Sequence, residues 1–193
     1  RRSLLYQMVR RDFSQRFVGS AAGWLWTLIQ PLVVLLSWVF AFQICMKMPQ
    51  PPGVENYTLY LFCGYMPWML FQESVQRSAN SLVEQSALIT RTVFPAEIVP
   101  VSMFLSALLS HLMAMSLLLG AIVMINGVPW VTVLLVPVYT FFLGVFAIGL
   151  SWIVSSLQVF LRDTGQIVVV TLTGWFWLTA GMRSSFTKPL SRP

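Results

Sequence analysis

The sequence predicts an all-α membrane protein in which five transmembrane helices follow an N-terminal amphipathic helix at the membrane interface. Two observations predict this class. The 193 residues are 57% hydrophobic and only 9% charged, whereas soluble domains carry about 25% charged residues. Apolar stretches of about 20 residues, the length that crosses a bilayer, recur along the chain. Because so few charges could not cover a soluble domain, we expect a helical bundle in lipid.

The first element, residues 1–18, is predicted to be an interface helix. Leu5, Val9, Phe13 and Phe17 recur every four residues and share one face, while arginines surround the rest. Helices of this kind lie in the plane of the membrane surface. The charged segment is too long for a cleavable signal peptide, and the apolar stretch that follows is too long as well.

Five spans follow, at approximately residues 23–46, 57–75, 99–125, 130–158 and 165–182. The connector at 47–56 is rich in proline and polar residues and cannot stay in lipid. The connector at 126–130 (NGVPW) is a tight turn. Pro31 and Pro67 are expected to kink the first and second spans.

The charge distribution predicts a cytoplasmic N-terminus. With that orientation, the inner segments carry eight basic residues and the outer segments four, as the positive-inside rule requires. The inner eight are Arg1, Arg2, Arg10, Arg11, Arg16, Arg77, Arg91 and Arg162. A nucleic-acid site would need basic residues alternating with aromatics on an exposed face, so no nucleic-acid partner is predicted.

Stripes of like side chains occur on four spans. The third and fourth spans carry small or polar residues, which favour close helix packing: Ser102, Ser106, Ser110, Ser151, Ser155 and Gln158. The mixed and aromatic stripes of the first two spans leave two interpretations open. They are interface anchors, or they line a path on which the C–H faces of sugar rings stack against aromatic faces. The candidate lining residues are Trp24, Gln30, Trp38, Tyr57, Tyr60, Trp68 and Phe71.

Several kinds of chemistry are missing from the sequence. Neither Lys47 nor Lys188 follows a glycine, so there is no phosphate loop, and nucleotide-driven work must come from a partner. The lone histidine, His111, has no acidic neighbour with which to hold a metal, and a packing or hydrogen-bonding role is favoured. An intramembrane hydrolase is a minor alternative, because Ser151 lacks the following glycine of common nucleophile motifs. We therefore predict no catalytic residue, cofactor or metal.

Two further predictions concern single pairs of residues. Glu73 and Arg77 are four positions apart near the inner end of the second span, a spacing that permits an ion pair. Cys45 and Cys63 fall near the outer ends of the first two spans. Free thiols are favoured over a disulfide.

Four segments carry a family resemblance. The chain opens with LYQMVRRDFSQRFVGSAAGWLWTLIQPL, and NSLVEQSALITRTVFPAEIVPVS follows the second span. VFLRDTGQ follows the fourth span, and the fifth ends in GWFWLT. In this order and spacing, over about residues 4–179, they resemble the permeases of ABC-2 type transporters. The match is to the branch that exports O-antigen, capsular polysaccharide or teichoic acid.

The resemblance implies a six-helix bundle behind an interface helix, in the bacterial cytoplasmic (inner) membrane. It implies a homodimer of permeases joined to two copies of an ABC ATPase subunit, exporting a lipid-linked glycan. It also implies that roughly Ser86–Glu97 forms a coupling helix on the ATPase, with Phe94 as an apolar anchor and Arg91 as a rim charge. A solvated connector is the alternative. The implied coupling residues are Leu88, Ile89, Thr90, Arg91, Thr92, Val93, Phe94, Pro95, Glu97, Arg10, Arg11, Asp12, Arg16, Arg162 and Asp163.

The domain is expected to be a single unit, 1–193, with the interface helix at 1–18, the bundle at 23–182 and a polar tail at 183–193. After Thr179 the family continues into a sixth span, which this sequence lacks, so we expect a C-terminally truncated permease. The functional prediction is export of a lipid-linked polysaccharide. The alternatives are an ABC-2 exporter of drugs or small lipids, an inactive truncated permease, and, less favoured, an intramembrane enzyme.

Overall fold

The computed structural model describes residues 2–16, 18–19, 23–45, 57–91, 95–126 and 130–186, and over these ranges the chain is helical without strands. The helices are α1 (Arg2–Gln15), α2 (Trp26–Val39), α3 (Tyr57–Glu84), α4 (Ser86–Arg91), α5 (Ile98–Asn126), α6 (Trp130–Phe160) and α7 (Thr164–Phe186). A 3-10 turn, Gly23–Leu25, leads into α2, and a π-helical segment, Phe40–Cys45, continues it.

The chain between α1 and α2 contains the two described glycines with positive φ, Gly19 at 80° and Gly23 at 50°. Residues with a Cβ rarely adopt this backbone region, so glycine permits the change of direction there. The interface helix and the first span are thus separate helices, as the sequence predicts.

Each predicted span lies on a helix wherever the chain is described, but α3 continues beyond residue 75 to Glu84. The predicted span ends where the apolarity falls, whereas the helix persists. The buried hydroxyl of Ser74 donates to the carbonyl of Phe71 at 2.9 Å, and that of Ser81 to Ser78 at 2.7 Å. Polar side chains satisfied within the helix can be buried without ending it.

Helix α3 lies at the centre of the bundle and packs against α5, α6 and α7, while α1 packs against α5. The main core joins these helices through Leu70, Phe71, Val75, Ala79, Phe104, Ala107, Ala147, Val154 and Leu172. A second cluster, with Met66 on α3 and Ala114 and Leu118 on α5, receives Leu28 and Val39 of α2. These contacts bring α1, α2, α3 and α5 to one side of the bundle.

The polar stripes predicted for the third and fourth spans are buried, which confirms their packing role. Ser102, Ser106 and Ser151 are fully buried, and Ser155 nearly so. Between these helices, a Cβ on Gly144 would lie 2.7 Å from the Cζ of Phe104. Helices α5 and α6 therefore approach closely at a point where a larger residue would force the Phe104 ring or the helices to shift.

Two helices in the described part of the chain are long and apolar enough to cross a membrane, Ile98–Gly120 and Val133–Phe160. Large apolar side chains also cover much of the outside of α6, among them Leu134 at 77% and Phe160 at 84% exposure. Such a surface belongs in lipid or against a partner. The number of five spans stays a prediction. Cys45 and Cys63 are both free and exposed, as expected.

Candidate functional site

Helices α1 and α3 meet through four charged side chains, here called the charge cluster: Asp12, Arg16, Glu73 and Arg77. Asp12 lies on α1 and Arg16 directly after its end, while Glu73 and Arg77 both lie on α3. Arg77 Nη2 lies 2.6 Å from Asp12 Oδ1, and Arg16 Nη1 lies 2.6 Å from Glu73 Oε1. Between Asp12 and Arg16, and between Glu73 and Arg77, the distances are 3.8 Å. The predicted Glu73–Arg77 pair is present, but the shorter pairs join the two helices.

A third helix joins the charge cluster through Ser110 of α5, whose hydroxyl accepts a hydrogen bond from Arg16 Nη1 at 2.9 Å. The side chains of Asp12 and Arg16 are only 13% and 16% exposed. Because a buried charge without a partner is strongly unfavourable, the reciprocal pairing stabilises α1 against the bundle. The cluster has two positive and two negative members, so it is neutral as a unit.

A cleft of about 340 Å³ opens beside the charge cluster between α2, α3 and α5. Its polar wall includes the cluster members Arg16, Glu73 and Arg77 together with Gln30, Gln72, Gln76, Ser110 and His111. Pro31, Met66, Met69, Leu70 and Ala114 are among its apolar lining residues. The lining offers amide and charged groups beside hydrocarbon, so the cleft suits an amphiphile with a polar, hydrogen-bonding head.

The amide of Gln72 is oriented by its neighbour on α3. Trp68 Nε1 donates to Gln72 Oε1 at 2.8 Å. With its oxygen engaged, Gln72 has its NH₂ group left to donate. An amide NH₂ group can donate to both hydroxyl and phosphate oxygens.

His111 lies in the cleft wall and is 7% exposed. Its neighbour Ser110 is engaged by Arg16 and, at 3.5 Å, by the carbonyl of Ser106. A hydrolase would need a serine hydrogen-bonded to its base; Ser151, the serine considered for that role, is fully buried on α6. No group of three or more metal-binding side chains occurs among the residues that the structure describes.

Two of the aromatic residues predicted on the second span, Trp68 and Phe71, join a cluster of rings between α3, α6 and α7. Phe71 stacks on Phe146 of α6 with ring centroids 5.5 Å apart, and Trp68 lies 5.6 Å from Phe176 and 6.2 Å from Trp175 of α7. Phe71 is 3% exposed, so within one chain it belongs to the core and lines no open path. Trp68 remains half-buried at the edge of the core.

Of the remaining candidate lining residues, Gln30 is exposed on α2 and borders the cleft. The side chains of Trp24, Trp38, Tyr57 and Tyr60 lie outside the described part of the structure.

The predicted coupling residues divide into exposed and internal groups. Arg10 and Arg11 are exposed on α1, whereas Asp12 of α1 and Arg16 directly after it belong to the charge cluster. Of these four, only Arg10 and Arg11 are exposed at the surface of the bundle. Arg162 and Asp163 are exposed in the turn between α6 and α7.

The loop after α3 holds a separate short helix, α4, where a coupling helix was predicted. Thr90 and Glu97 are exposed, and Ile89 and Pro95 are half-buried. The side chains of Leu88 and Arg91, and residues 92–94, which include Thr92, Val93 and Phe94, lie outside the described part.

Comparison with known proteins gives three similar sequences. The chain is 31% identical over 178 residues, 92% of its length, to the O-antigen export system permease protein RfbA of Myxococcus xanthus, and covers 67% of that protein. Two proteins of the same name from Klebsiella pneumoniae are each 28% identical over 91% of the chain, which again covers 67% of each. No family model matches the chain.

Proposed function

This chain belongs to the ABC-2 type permeases of O-antigen export systems, and from that premise we propose that it is the permease subunit of an ATP-driven exporter of a lipid-linked polysaccharide. The observation that carries this proposal is the similarity over nearly the whole chain to permeases named for O-antigen export. Because all three relatives carry that name, polysaccharide export is favoured over export of drugs or small lipids.

The energy for transport comes, in this proposal, from two copies of an ATPase subunit that bind a homodimer of permeases. The sequence has no glycine–lysine phosphate loop of its own. Three surfaces are proposed to contact the ATPase. They are α4, which ends at Arg91, together with Phe94 after it; the exposed Arg10 and Arg11; and the turn with Arg162 and Asp163. A short helix and a few exposed charges suit an interface that moves during the cycle.

The substrate, in this proposal, meets the permease at the cleft. Its amide and charged side chains can bind the polar head of a lipid-linked glycan while Met66, Met69 and Leu70 accept hydrocarbon. Uncharged amides bind hydroxyl groups without the strength of charge pairs, which favours release. We place the chain in the bacterial inner membrane with five spans and a cytoplasmic N-terminus, supported by the bias of basic residues toward the inner segments.

Co-purification with the ATPase tests this function directly. We expect the detergent-solubilised permease to bring down an ATPase that carries a phosphate loop. Phe94→Asp and Arg91→Glu should reduce the recovered ATPase at least about tenfold, since anchor residues contribute 2 kcal/mol or more to an interface. Lys47→Glu, the same charge reversal in the predicted outer connector, is the matched control. Equal ATPase recovery with all of these variants would contradict the docking assignment, and recovery of no ATPase by the wild type would contradict the function.

A further inference from the structure

The inner end of α6 carries a glutamine whose amide is fully engaged. Gln158 is 7% exposed. Its Nε2 donates to Asn80 Oδ1 on α3 at 3.0 Å and to the carbonyl of Arg162 at 2.8 Å. Its Oε1 accepts a hydrogen bond from the backbone N–H of Gly165 at 2.6 Å. One side chain thus joins α3, the turn after α6 and the first turn of α7.

The turn itself is held closely against this amide. A Cβ on Gly165 would lie 3.3 Å from Asn80 Oδ1 and 3.5 Å from Gln158 Oε1, so a larger residue would crowd these two side chains. The buried hydroxyl of Thr164 donates to the carbonyl of Leu161 at 2.7 Å. Residues 161–163 are therefore fixed at both ends, and their exposed charges project from a constrained turn.

A further hydrogen bond joins α6 to the segment between α4 and α5. Trp152 Nε1 donates to the backbone carbonyl of Glu97 at 3.0 Å. Glu97 lies between α4 and α5, and Asn80 lies about one helical turn before α3 ends. The chain entering α4 and the chain leaving it are thus both hydrogen-bonded to the inner third of α6.

We infer that Gln158, Asn80 and Trp152 are positioning residues that hold α4 and the turn 161–163 in one rigid unit with α6. This inference rests on the proposed function, because the unit matters only if an ATPase pushes on it. Apolar contacts tolerate sliding, whereas hydrogen bonds with defined donors and acceptors fix relative position. Motion imposed on α4 therefore reaches the turn 161–163 and α6 together.

The first test measures the hydrogen bonds that Gln158 makes with Asn80, Arg162 and Gly165. Gln158→Met keeps the length of the side chain and removes its three hydrogen bonds. In the detergent-solubilised full-length protein, we expect amide hydrogen exchange over residues 161–166 to accelerate about fivefold, the factor for one lost hydrogen bond, because the Gly165 N–H is the backbone donor that loses its acceptor. Gln166→Met, the same substitution at an exposed position of α7, should leave the rate unchanged.

The second test measures how well ATP hydrolysis is coupled to export in the reconstituted exporter. The quantity measured is the number of ATP molecules hydrolysed per glycan exported. Gln158→Met, Asn80→Leu and Trp152→Phe should raise this number severalfold while the ATPase stays bound. Asn80→Asp keeps an oxygen acceptor for Gln158 Nε2 and should behave as wild type, as should Gln166→Met. A purely structural role would lower export and hydrolysis together and leave their ratio unchanged.

Two outcomes overturn the inference alone, given a wild-type exporter that hydrolyses ATP. One is an unchanged exchange rate over residues 161–166 in Gln158→Met. The other is a faster exchange rate with a wild-type ratio of hydrolysis to export. If the wild-type chain recruits no ATPase, the proposed function itself fails and the positioning role falls with it, so the two failures are distinguishable.

Discussion

Arg16 links three helices of the bundle, because one guanidinium nitrogen lies 2.6 Å from Glu73 on α3 and 2.9 Å from Ser110 on α5. The sequence separates these partners by dozens of positions, so no local spacing points to the contact. What the spacing does indicate is the pair Glu73–Arg77 within α3. The shorter cross-helix pairs follow from how α1 packs against α5, which brings its charged side chains within reach of α3, and only the folded structure supplies that placement.

We expect Arg16→Ala to destabilise the protein by about 1–3 kcal/mol, since it removes charge-assisted hydrogen bonds and leaves Glu73 without its nearest cation. The measurement is the thermal unfolding midpoint of the detergent-solubilised full chain. Arg11→Ala, an exposed arginine on the same helix, should shift the midpoint little. Equal shifts for the two variants would show that the charge cluster contributes nothing specific.

The cleft permits a second prediction at the level of single side chains. Gln30→Leu and Gln76→Leu should each lower the rate of glycan export about two- to tenfold, the range for one lost hydrogen bond to the substrate. Binding of the ATPase should stay intact, because neither residue belongs to the proposed docking segments. Gln7→Leu, at an exposed position on α1, is the control. Export at the wild-type rate in both cleft variants would remove the cleft from the substrate path.

At the level of helices, the sequence predicts most of the bundle because long apolar runs have only one stable backbone form in lipid. The separate α1 also falls where the pattern places it, and α4 lies at the start of the segment that the family resemblance implies to be a coupling helix. Helix α3 continues beyond the predicted span, because Ser78 and Ser81 lower the apolarity while remaining fully buried. The interior position of Phe71 was missed because an aromatic stripe looks the same whether it faces a core or a path.

The close contact between α5 and α6 leads us to predict that a larger residue at Gly144 destabilises the protein. Gly144→Ala would place a methyl group 2.7 Å from the ring of the buried Phe104, so the ring or the helices must shift. We expect destabilisation of about 1–3 kcal/mol, the usual cost of overpacking, measured as a lower unfolding midpoint in detergent.

The matched control for that contact is Gly149→Ala on the same helix, where no heavy atom lies within 4 Å of the added Cβ. Alanine is the better helix former by about 1 kcal/mol, so this variant should be as stable as wild type or more so. Combining Gly144→Ala with the smaller Phe104→Leu should recover part of the loss. If Gly144→Ala were as stable as Gly149→Ala, α5 and α6 would not approach closely there.

For the whole molecule, arrangements with two and with five membrane-crossing helices can be compared. Length and apolarity alone single out Ile98–Gly120 and Val133–Phe160 within the described chain, whereas the apolar pattern and the distribution of arginines predict five spans. Both arrangements place α1, α4 and the turn 161–163 on one side, because an even number of crossings separates them. Contacts of all three with one ATPase are therefore compatible with either arrangement.

Cys45 separates the two arrangements, since five spans place it across the membrane from α1 and two spans leave it on the same side. It is free and exposed, so a maleimide that cannot cross membranes can report its side. In spheroplasts carrying Cys63→Ser, we expect Cys45 to react at once. Ser14→Cys on α1, with Cys45 and Cys63 both replaced by serine, should react only after permeabilisation. Labelling of both positions only after permeabilisation would mean that the first apolar stretch does not cross, and that the cleft beside Gln30 lies at the cytoplasmic surface of the bundle.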